Sequence, residues 1–329
     1  MVYIESDSTS PYFNFALEQY LMKEKDLEDN EIFMLWRTNP TVMVGRYQNT
    51  IEEINEKYVK ENGVNVVRRV SGGGTIYTDM NGWQYSFINK NYKVSSIDFK
   101  AFTLPIIEAL EKQDVNAYFN SRNDLLIGGR KFSGNAQYIK GDRILHHGSI
   151  LFNTDIKAMV ESITVADEKI ISKGIKSVRE RVTNVAEHLN KNIDCIGFRD
   201  IMLESLLQGR KNIYKLNEYD IRRINEIAKE KFESWEWNYG NSPKFNITKW
   251  GRFLGGKVEF RLDVEKGIIK NCKIYGDFFG IGEINMISKA LCGCKYEKKS
   301  IENILKEIEV ERHFYKISRD QILDCIITN

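Results

Sequence analysis

Three short stretches of the sequence combine cations with glycines or histidines at spacings that suit the handling of anions. The first reads Arg68-Arg69-Val70-Ser71-Gly72-Gly73-Gly74-Thr75-Ile76-Tyr77-Thr78-Asp79. Consecutive glycines let the backbone approach a ligand closely and expose N–H donors, while a guanidinium can grip phosphate or carboxylate oxygens with two hydrogen bonds. The pattern indicates a nucleotide or acyl-phosphate site. The alternative interpretation is a flexible turn with two solvated arginines.

The second stretch places a carboxylate among cations and small residues. It reads Arg122-Asn123-Asp124-Leu125-Leu126-Ile127-Gly128-Gly129-Arg130-Lys131-Phe132-Ser133-Gly134-Asn135-Ala136-Gln137. A carboxylate and an α-phosphate repel each other, so a fixed ammonium group such as that of Lys131 would help them react. Such chemistry usually needs Mg²⁺, for which Asp124 is the candidate ligand. A solvated hairpin lysine and a turn-capping aspartate remain open as alternatives.

The third stretch contains two adjacent histidines followed by glycine. Neighbouring side chains of a strand point to opposite faces, so His146 and His147 are not expected to share one metal ion. We predict that His146 is structural and that His147, beside Gly148, lines a pocket. No phosphate-binding P-loop and no dinucleotide-binding glycine fingerprint occurs in the chain.

Helix and strand patterns indicate how these stretches are positioned. Residues 11–25 predict an amphipathic helix with Ser10 as its N-cap. Residues 50–53 match a capping box that opens another helix. Residues 83–88 alternate aromatic and polar side chains, which predicts a strand with one buried face, and residues 138–145 predict a hairpin. The first half of the chain therefore predicts one compact domain of helices and strands.

The length of the chain predicts two domains. Its 329 residues exceed the usual single domain of about 100 to 200 residues. A turn-rich segment at residues 237–245 is the candidate linker. We predict a catalytic domain at residues 1–243 and a small α+β domain at residues 244–329.

Composition and charge are those of an ordinary soluble globular protein. The chain has 48 basic and 46 acidic side chains, and 42% of its residues are apolar. This balance predicts no nucleic-acid partner, and no apolar run reaches the ~18 residues of a membrane span. Because the N-terminus shows no targeting pattern, we expect a cytoplasmic protein without a membrane partner. The five cysteines show neither disulfide nor zinc spacing and are expected to be reduced.

The three stretches, in this order, resemble the lipoate-protein ligase A family. Its hallmark runs are R-R-x-S-G-G-G, G-R-N-D-L with a following R-K-x-S-G, and H-H-G. Further similar runs are Phe13-Asn14-Phe15-Ala16-Leu17-Glu18, Leu35-Trp36-Arg37, Val44-Gly45-Arg46-Tyr47-Gln48-Asn49, Ser177-Val178-Arg179-Glu180-Arg181-Val182-Thr183-Asn184 and Trp235-Glu236-Trp237-Asn238-Tyr239-Gly240. The resemblance implies an α+β fold: a catalytic domain related to biotin ligases and class II tRNA synthetases, built on a central mixed sheet, and a small α+β accessory domain.

The resemblance also implies a reaction in two steps. Lipoate, or octanoate as an alternative acid, reacts with ATP and Mg²⁺ to give an acyl-adenylate and pyrophosphate. The ε-amine of an acceptor lysine then attacks the mixed anhydride, giving an amide and AMP. The implied acceptors are the lipoyl domains of 2-oxoacid dehydrogenase complexes and the glycine-cleavage H protein.

The functional positions of the family can be transferred residue by residue. Lys131 matches the catalytic lysine that touches both ATP and lipoate. The implied ATP-binding residues are Arg69, Gly74, Thr75, Ile76, Tyr77 and Lys131. The implied lipoate-binding residues are Lys131, Trp36, Arg68, Ser71, Gly73, Ser133, Ala136, His147 and Gly148. Many family members have alanine at the position of Thr75 and histidine at that of Thr78, so the polarity of the nucleotide site and the preferred acid stay open.

The sequence leaves three alternative functions open. An ATP-independent octanoyl or lipoyl transferase would work through a cysteine thioester, and Cys195 is the one cysteine of the predicted catalytic domain. It follows the three stretches at a distance and is a poor candidate. A biotin ligase would carry a G-R-G-R-x-G run, which the chain lacks. A non-catalytic binding protein would be expected to have lost Lys131 or the arginine-glycine run.

Overall fold

A computed structural model describes residues 1–27, 31–90, 97–120, 122–163, 168–209, 212–239, 247–265 and 267–328. The chain divides into two compact units. The first unit comprises Met1–Val44, Thr50–Arg69 and Ile76–Asn238, and the second comprises Gly45–Asn49, Val70–Thr75 and Tyr239–Asn329. Most of the predicted linker at residues 237–245 lies outside the described residues, and the boundary after residue 243 stays a prediction.

A mixed sheet forms the centre of the first unit. The described strands are β1 (Val2–Glu5), β2 (Glu31–Trp36), β3 (Thr41–Val44), β4 (Asn65–Arg68), β5 (Ile76–Thr78), β6 (Trp83–Asn89), β7 (Ala117–Phe119), β8 (Asp124–Ile127), β9 (Arg130–Lys140), β10 (Arg143–Ile150) and β11 (Ile213–Lys215). The main sheet has the order β11-β1-β2-β6-β10-β9-β8-β7, and β4-β3-β5 form a small second sheet. In the main sheet β1 pairs in parallel with β2 and β11 and the remaining pairs are antiparallel, so the predicted mixed sheet is confirmed.

Helices cover this sheet and connect its strands. They are α1 (Pro11–Lys23), α2 (Thr50–Glu53), α3 (Glu56–Glu61), α4 (Lys100–Glu111), α5 (Ile156–Ile163), α6 (Glu168–Arg181), a 3₁₀ helix (Val185–His188), α7 (Cys195–Leu207), α8 (Glu218–Ile227) with a π-helical turn (Ala228–Phe232), and α9 (Trp235–Asn238). Helix α1 begins as predicted, because the Ser10 side chain accepts a hydrogen bond from the Phe13 N–H.

Two local predictions were wrong. At residues 50–53, Thr50 is the first residue of α2 and not its N-cap. Its hydroxyl oxygen accepts from Nη2 of Arg68 at 2.6 Å, and the hydroxyl donates to the carbonyl of Asn238. The next helix, α3, is capped by Asn55 instead. Strand β6 is buried on both faces, since Gln84 and Ser86 are 4% and 0% exposed. The reason is that α1 packs on one face of the sheet while the largest apolar core lies on the other.

The second unit is a small α+β structure. Its described strands are β12 (Ile247–Phe253), β13 (Gly256–Glu265) and β14 (Ile268–Gly276), which form an antiparallel sheet. Its helices are α10 (Ile284–Leu291), α11 (Lys298–Lys306), α12 (Val310–His313) and α13 (Arg319–Thr328). Buried side chains such as Phe260, Leu262 and Ile287 form its core. In the described part of the chain, no helix is both long enough and apolar enough to span a membrane.

Candidate active site

An ion pair on β8 and β9 holds the predicted catalytic lysine. The Nζ of Lys131 lies 2.7 Å from Oδ1 of Asp124, and the two side chains are 36% and 24% exposed. The pair is therefore open to solvent on one side, where a ligand can approach it. The ammonium group is held in place but can still exchange its partner for another anion.

A β-bulge decides which way Lys131 points. Leu125 pairs with Ser133 and Leu126 pairs with Lys131, so Phe132 is an extra residue in β9. In a regular strand, Lys131 and Ser133 would share a face, and the extra residue breaks this alternation. Phe132 and Ser133 are buried, at 0% and 1% exposure, whereas Lys131 reaches Asp124. The bulge thus separates two residues that were predicted to line one pocket.

A buried polar chain joins α1 to the sheet on the face that α1 covers. The indole Nε1 of Trp36 donates to Oγ of Ser86 at 2.9 Å, and that hydroxyl donates to Oε1 of Glu18 at 2.6 Å. The Nδ1 of His147 lies 3.1 Å from the same carboxylate oxygen, so it is the protonated nitrogen of the ring. Ala136 pairs with His147 in the neighbouring strand and shares its face. The structure therefore brings Trp36, Ala136 and His147 together.

Glu18 was not among the residues predicted for the site. It is 0% exposed and accepts hydrogen bonds from Ser86 of β6 and from His147 of β10, the second of which was a predicted pocket residue. A signal for it was present in the sequence: it stands in the buried part of α1, between Leu17 and Leu21, where an apolar residue is the usual choice. A carboxylate at such a position must find partners, and here it orients His147.

Gly148 and Ser133 belong to the opposite face of the sheet. Gly148 pairs with Tyr85 of β6 and with Asn135 of β9, and the Tyr85 hydroxyl donates to Oδ1 of Asn135 across it. The Ser133 hydroxyl accepts from Nδ2 of the same asparagine at 3.3 Å. A ligand on the opposite face of the sheet, where Lys131 lies, could therefore contact only the backbone atoms of Gly148 and Ser133. His146 lies on this second face too, with its ring nitrogens bonded to Gln137 and Asn135.

We expect the burial of His146 to make the fold sensitive to acid. Burial, followed by the neighbouring His147, holds the pKa of His146 well below its ordinary value of 6.5. Below about pH 6.5 the unfolded chain therefore binds a proton that the folded chain refuses, and stability falls by up to about 1.4 kcal/mol per pH unit. Equilibrium urea unfolding of the parent and of His146→Gln between pH 5 and 8 should show a shallower acid slope in the variant. His188→Gln is the control, and parallel slopes for parent and His146→Gln would contradict the expectation.

The two arginines after β4 have different surroundings. Arg69 is 6% exposed, and its Nη1 donates to the carbonyl of Met43 at 3.0 Å. Burial, reinforced by Arg68, lowers the pKa of Arg69 to about 10, so it stays charged at neutral pH. Arg68 is half-buried, and its guanidinium donates to the carbonyls of Trp237 and Asn238. These partners tie Arg68 to the end of the first unit, and neither was a predicted site residue.

The predicted nucleotide residues fall in both units. Residues 70–75 belong to the second unit, where the Thr75 hydroxyl donates to Oε1 of Gln48 at 2.9 Å and the Ser71 carbonyl accepts from the Arg46 N–H. The loop contains Gly73 and Gly74, and Gly73 has a φ of 94°. Ile76 and Tyr77 continue into β5 of the first unit, and burial raises the pKa of the Tyr77 hydroxyl.

Asp124 is the candidate magnesium ligand, and it supplies the carboxylate beside Lys131 in the ion pair of β8 and β9. No group of three or more His, Cys, Asp or Glu side chains suited to a metal ion occurs within the described ranges. Mg²⁺ often binds through one or two carboxylates and the phosphates of a nucleotide. A single half-exposed carboxylate beside Lys131 fits that manner of binding, so the assignment stays a prediction.

Comparison with known proteins identifies the family. Residues 10–207 match the lipoyl protein ligase A/B catalytic domain, and residues 242–326 match the bacterial lipoate protein ligase C-terminus. Lipoate-protein ligase LplJ of Bacillus subtilis is 41% identical over 331 residues, covering 99% of this chain and 100% of the relative. The chain belongs to the lipoate-protein ligase family. The predicted resemblance is confirmed.

Solved structures of lipoate-protein ligases confirm the predicted fold. The structure of Plasmodium falciparum LipL1 in complex with lipoate matches with a TM-score of 0.82 and 25% identity, covering 100% of this chain and 99% of that one. A lipoate-protein ligase A bound with ATP matches with a TM-score of 0.60 and 21% identity, covering 73% of this chain and 98% of that one. The second likeness concerns the fold alone.

Proposed function

We propose that this lipoate-protein ligase is ATP-dependent, activates lipoate as lipoyl-AMP with release of pyrophosphate, and transfers the lipoyl group to the ε-amine of an acceptor lysine. The observation that carries the proposal is the half-exposed ammonium group of Lys131 beside Asp124, which is a fixed cation where two anions would have to meet. That LipL1, which is 25% identical, was solved with lipoate supports lipoate as a substrate here. A ligase that shares the fold was solved with ATP, which is compatible with ATP as the second substrate.

We infer a role for each group of predicted site residues in this reaction. Lys131 would exchange Asp124 for the lipoate carboxylate and the α-phosphate, whose mutual repulsion it offsets. The N–H groups of Gly74 and Thr75 would donate to nucleotide oxygens, and the charge of Arg69 would bind the phosphates. Asp124 would hold Mg²⁺, which when bound supplies further positive charge to the phosphates.

The acyl chain would lie along the sheet face that α1 covers. Trp36 and Ala136 are apolar side chains there, 2% and 5% exposed, and Glu18 holds the His147 ring through its Nδ1. The main-chain atoms of Gly148 and Ser133 would complete the contact from the strands. A cyclic disulfide at the end of an alkyl chain is apolar and fits such surroundings, and octanoate is the corresponding straight-chain acid.

The transferase alternative finds little support in the surroundings of Cys195. Burial raises the pKa of this thiol, whereas a nucleophilic cysteine needs a lowered one. Its backbone carbonyl accepts from the Trp83 indole, which places the residue at the start of α7 in a structural contact. The match of residues 242–326 to a ligase C-terminus also favours a ligase.

The deciding experiment is the intact mass of an apo acceptor after incubation with the enzyme, lipoate and Mg²⁺, with and without ATP. Apo H protein and an apo lipoyl domain of a 2-oxoacid dehydrogenase are the proposed acceptors, and each is paired with a variant whose target lysine is arginine. We expect a lipoyl mass increment only with ATP and only on the lysine form. A transferase would instead give an increment without ATP when an octanoylated or lipoylated carrier protein replaces free lipoate as the donor. The absence of both the increment and lipoate-dependent pyrophosphate release would refute the proposal.

A further inference from the structure

The glycine-rich loop lies directly on a backbone carbonyl of the second unit. The N–H of Gly73 donates to the carbonyl oxygen of Phe278 at 3.1 Å. A Cβ built on Gly72 would lie 2.4 Å from the same oxygen, which is closer than any side chain could be placed without moving the backbone. Glycine at position 72 is therefore required by this close approach. Residues 72 and 73 rest on the chain just after β14.

A second contact to Phe278 comes from the segment after β3. The ring of Tyr47 stacks on that of Phe278, with centroids 4.8 Å apart and planes at 5°. The Tyr47 carbonyl accepts from the N–H of Gly276 at 2.7 Å, and the neighbouring Arg46 N–H donates to the carbonyl of Ser71 at 2.9 Å. Tyr47 thus binds the chain at and just after the end of β14, and the adjacent residue Arg46 binds the glycine-rich loop.

Side chains add to this arrangement. The Oε1 of Gln48 accepts from both the Thr75 hydroxyl and the Gly45 N–H, each at 2.9 Å. Thr75 is the position where many family members have alanine, and here its hydroxyl joins the loop to the Gln48 amide. An ion pair between Arg46 and Glu283 at 2.8 Å is largely exposed and contributes little.

We propose that Tyr47 and Phe278 are positioning residues that hold the glycine-rich loop in its nucleotide-binding conformation before ATP arrives. The inference rests on the proposed function in one respect, namely that Gly74 and Thr75 contact ATP. N–H groups that are already oriented need no ordering when the ligand binds, so the stacked rings improve ATP affinity without touching ATP. Of the residues predicted to bind lipoate, Ser71 and Gly73 lie in the loop and the others lie outside it, so disorder of the loop should raise the KM for lipoate less than the KM for ATP. General damage to the protein should raise both KM values alike.

The first test measures the loop without using activity. Hydrogen–deuterium exchange of the full-length protein is followed in peptides covering residues 70–75. Tyr47→Leu removes the stacking, and Gly72→Ala drives a methyl group against the Phe278 carbonyl. Each should raise exchange in these peptides about tenfold, whereas Tyr47→Phe keeps the ring and should match the parent. Ile301→Val, a buried change on α11 of the same unit, controls for general destabilisation.

The second test compares the KM for ATP with the KM for lipoate in pyrophosphate release. Tyr47→Leu should raise the KM for ATP about tenfold and the KM for lipoate by a clearly smaller factor, about threefold at most, because only Ser71 and Gly73 of the predicted lipoate-binding residues lie in the loop. Tyr47→Phe should restore both parent values. Parental exchange at residues 70–75 in both Tyr47→Leu and Gly72→Ala would overturn the inference. An equal increase in hydrogen–deuterium exchange at residues 70–75 in Ile301→Val would overturn the inference as well. If Tyr47→Leu and Gly72→Ala raise exchange at residues 70–75 but the parent protein shows no ATP-dependent activity, loop positioning is supported and the proposed function is refuted.

Discussion

Replacing Lys131 by alanine is expected to reduce lipoate-dependent pyrophosphate release by about 100- to 1,000-fold, which is the usual effect of removing one oriented charge from an activation site. The fold should be retained, because the side chain is 36% exposed and its partner Asp124 is 24% exposed. An ion pair this open contributes about 0 to 1 kcal/mol of stability after solvent screening. The measurement is initial-rate pyrophosphate release at saturating ATP and lipoate, together with a thermal unfolding curve.

Two further variants sharpen this prediction. Lys140→Ala removes an exposed lysine from the end of the same strand and should leave the rate within about twofold of the parent. Asp124→Asn keeps the shape of the side chain but removes its charge, and should slow the first half-reaction and weaken its Mg²⁺ dependence. A parental rate in Lys131→Ala would exclude this lysine from activation, and an unchanged Mg²⁺ titration in Asp124→Asn would remove the metal assignment.

Gly148→Ala is expected to destabilise the first unit by about 3 kcal/mol through overpacking and the loss of buried hydrogen bonds. A Cβ at this position would lie 2.3 Å from Oδ1 of Asn135 and 2.4 Å from Cζ of Tyr85. Neither group can withdraw, because the Tyr85 hydroxyl donates to that amide oxygen and the His146 ring also contacts it. The midpoint of thermal unfolding should therefore fall by about 6 to 12 °C.

The matched control for this change is Gly197→Ala in the first turn of α7. A Cβ there meets Oδ1 of Asp194 at 3.3 Å, and alanine favours the helix by about 0.5 to 1 kcal/mol. The control should therefore unfold within a few degrees of the parent. If Gly148→Ala unfolds at the same temperature as the parent, Asn135 and Tyr85 can move away from position 148 and the prediction is wrong. Activity loss in Gly148→Ala without loss of stability would instead point to a direct backbone contact with substrate.

Local features were predicted well where neighbouring residues alone determine them. The Ser10 cap of α1 and the hairpin between β9 and β10 follow from hydrogen bonds and turn preferences within a few residues. The capping box at Thr50 failed because Thr50 is itself the first residue of α2 and its hydroxyl oxygen accepts from Nη2 of Arg68 at 2.6 Å. Such a competing donor cannot be foreseen from the four residues of the motif.

The sequence pattern also did not predict that the pocket residues divide between the two faces of the sheet. Lys131 and Ser133 are two residues apart, and regular alternation would put them together. One extra residue, Phe132, reverses that relation, and it does so because its ring is buried in the core beside Tyr85. The bulge depends on how β8 pairs with β9, so it is a property of the sheet.

The motifs of the chain, their order and their charges were sufficient to predict the family, the central mixed sheet and the small α+β structure near the C-terminus, because each rests on residue types close together in sequence. Contacts between distant segments determine the rest: that Glu18 orients His147, that Ser133 faces away from Lys131, and that residues 70–75 pack in the second unit. These relations arise from packing and strand pairing, which a linear spacing of residues does not contain.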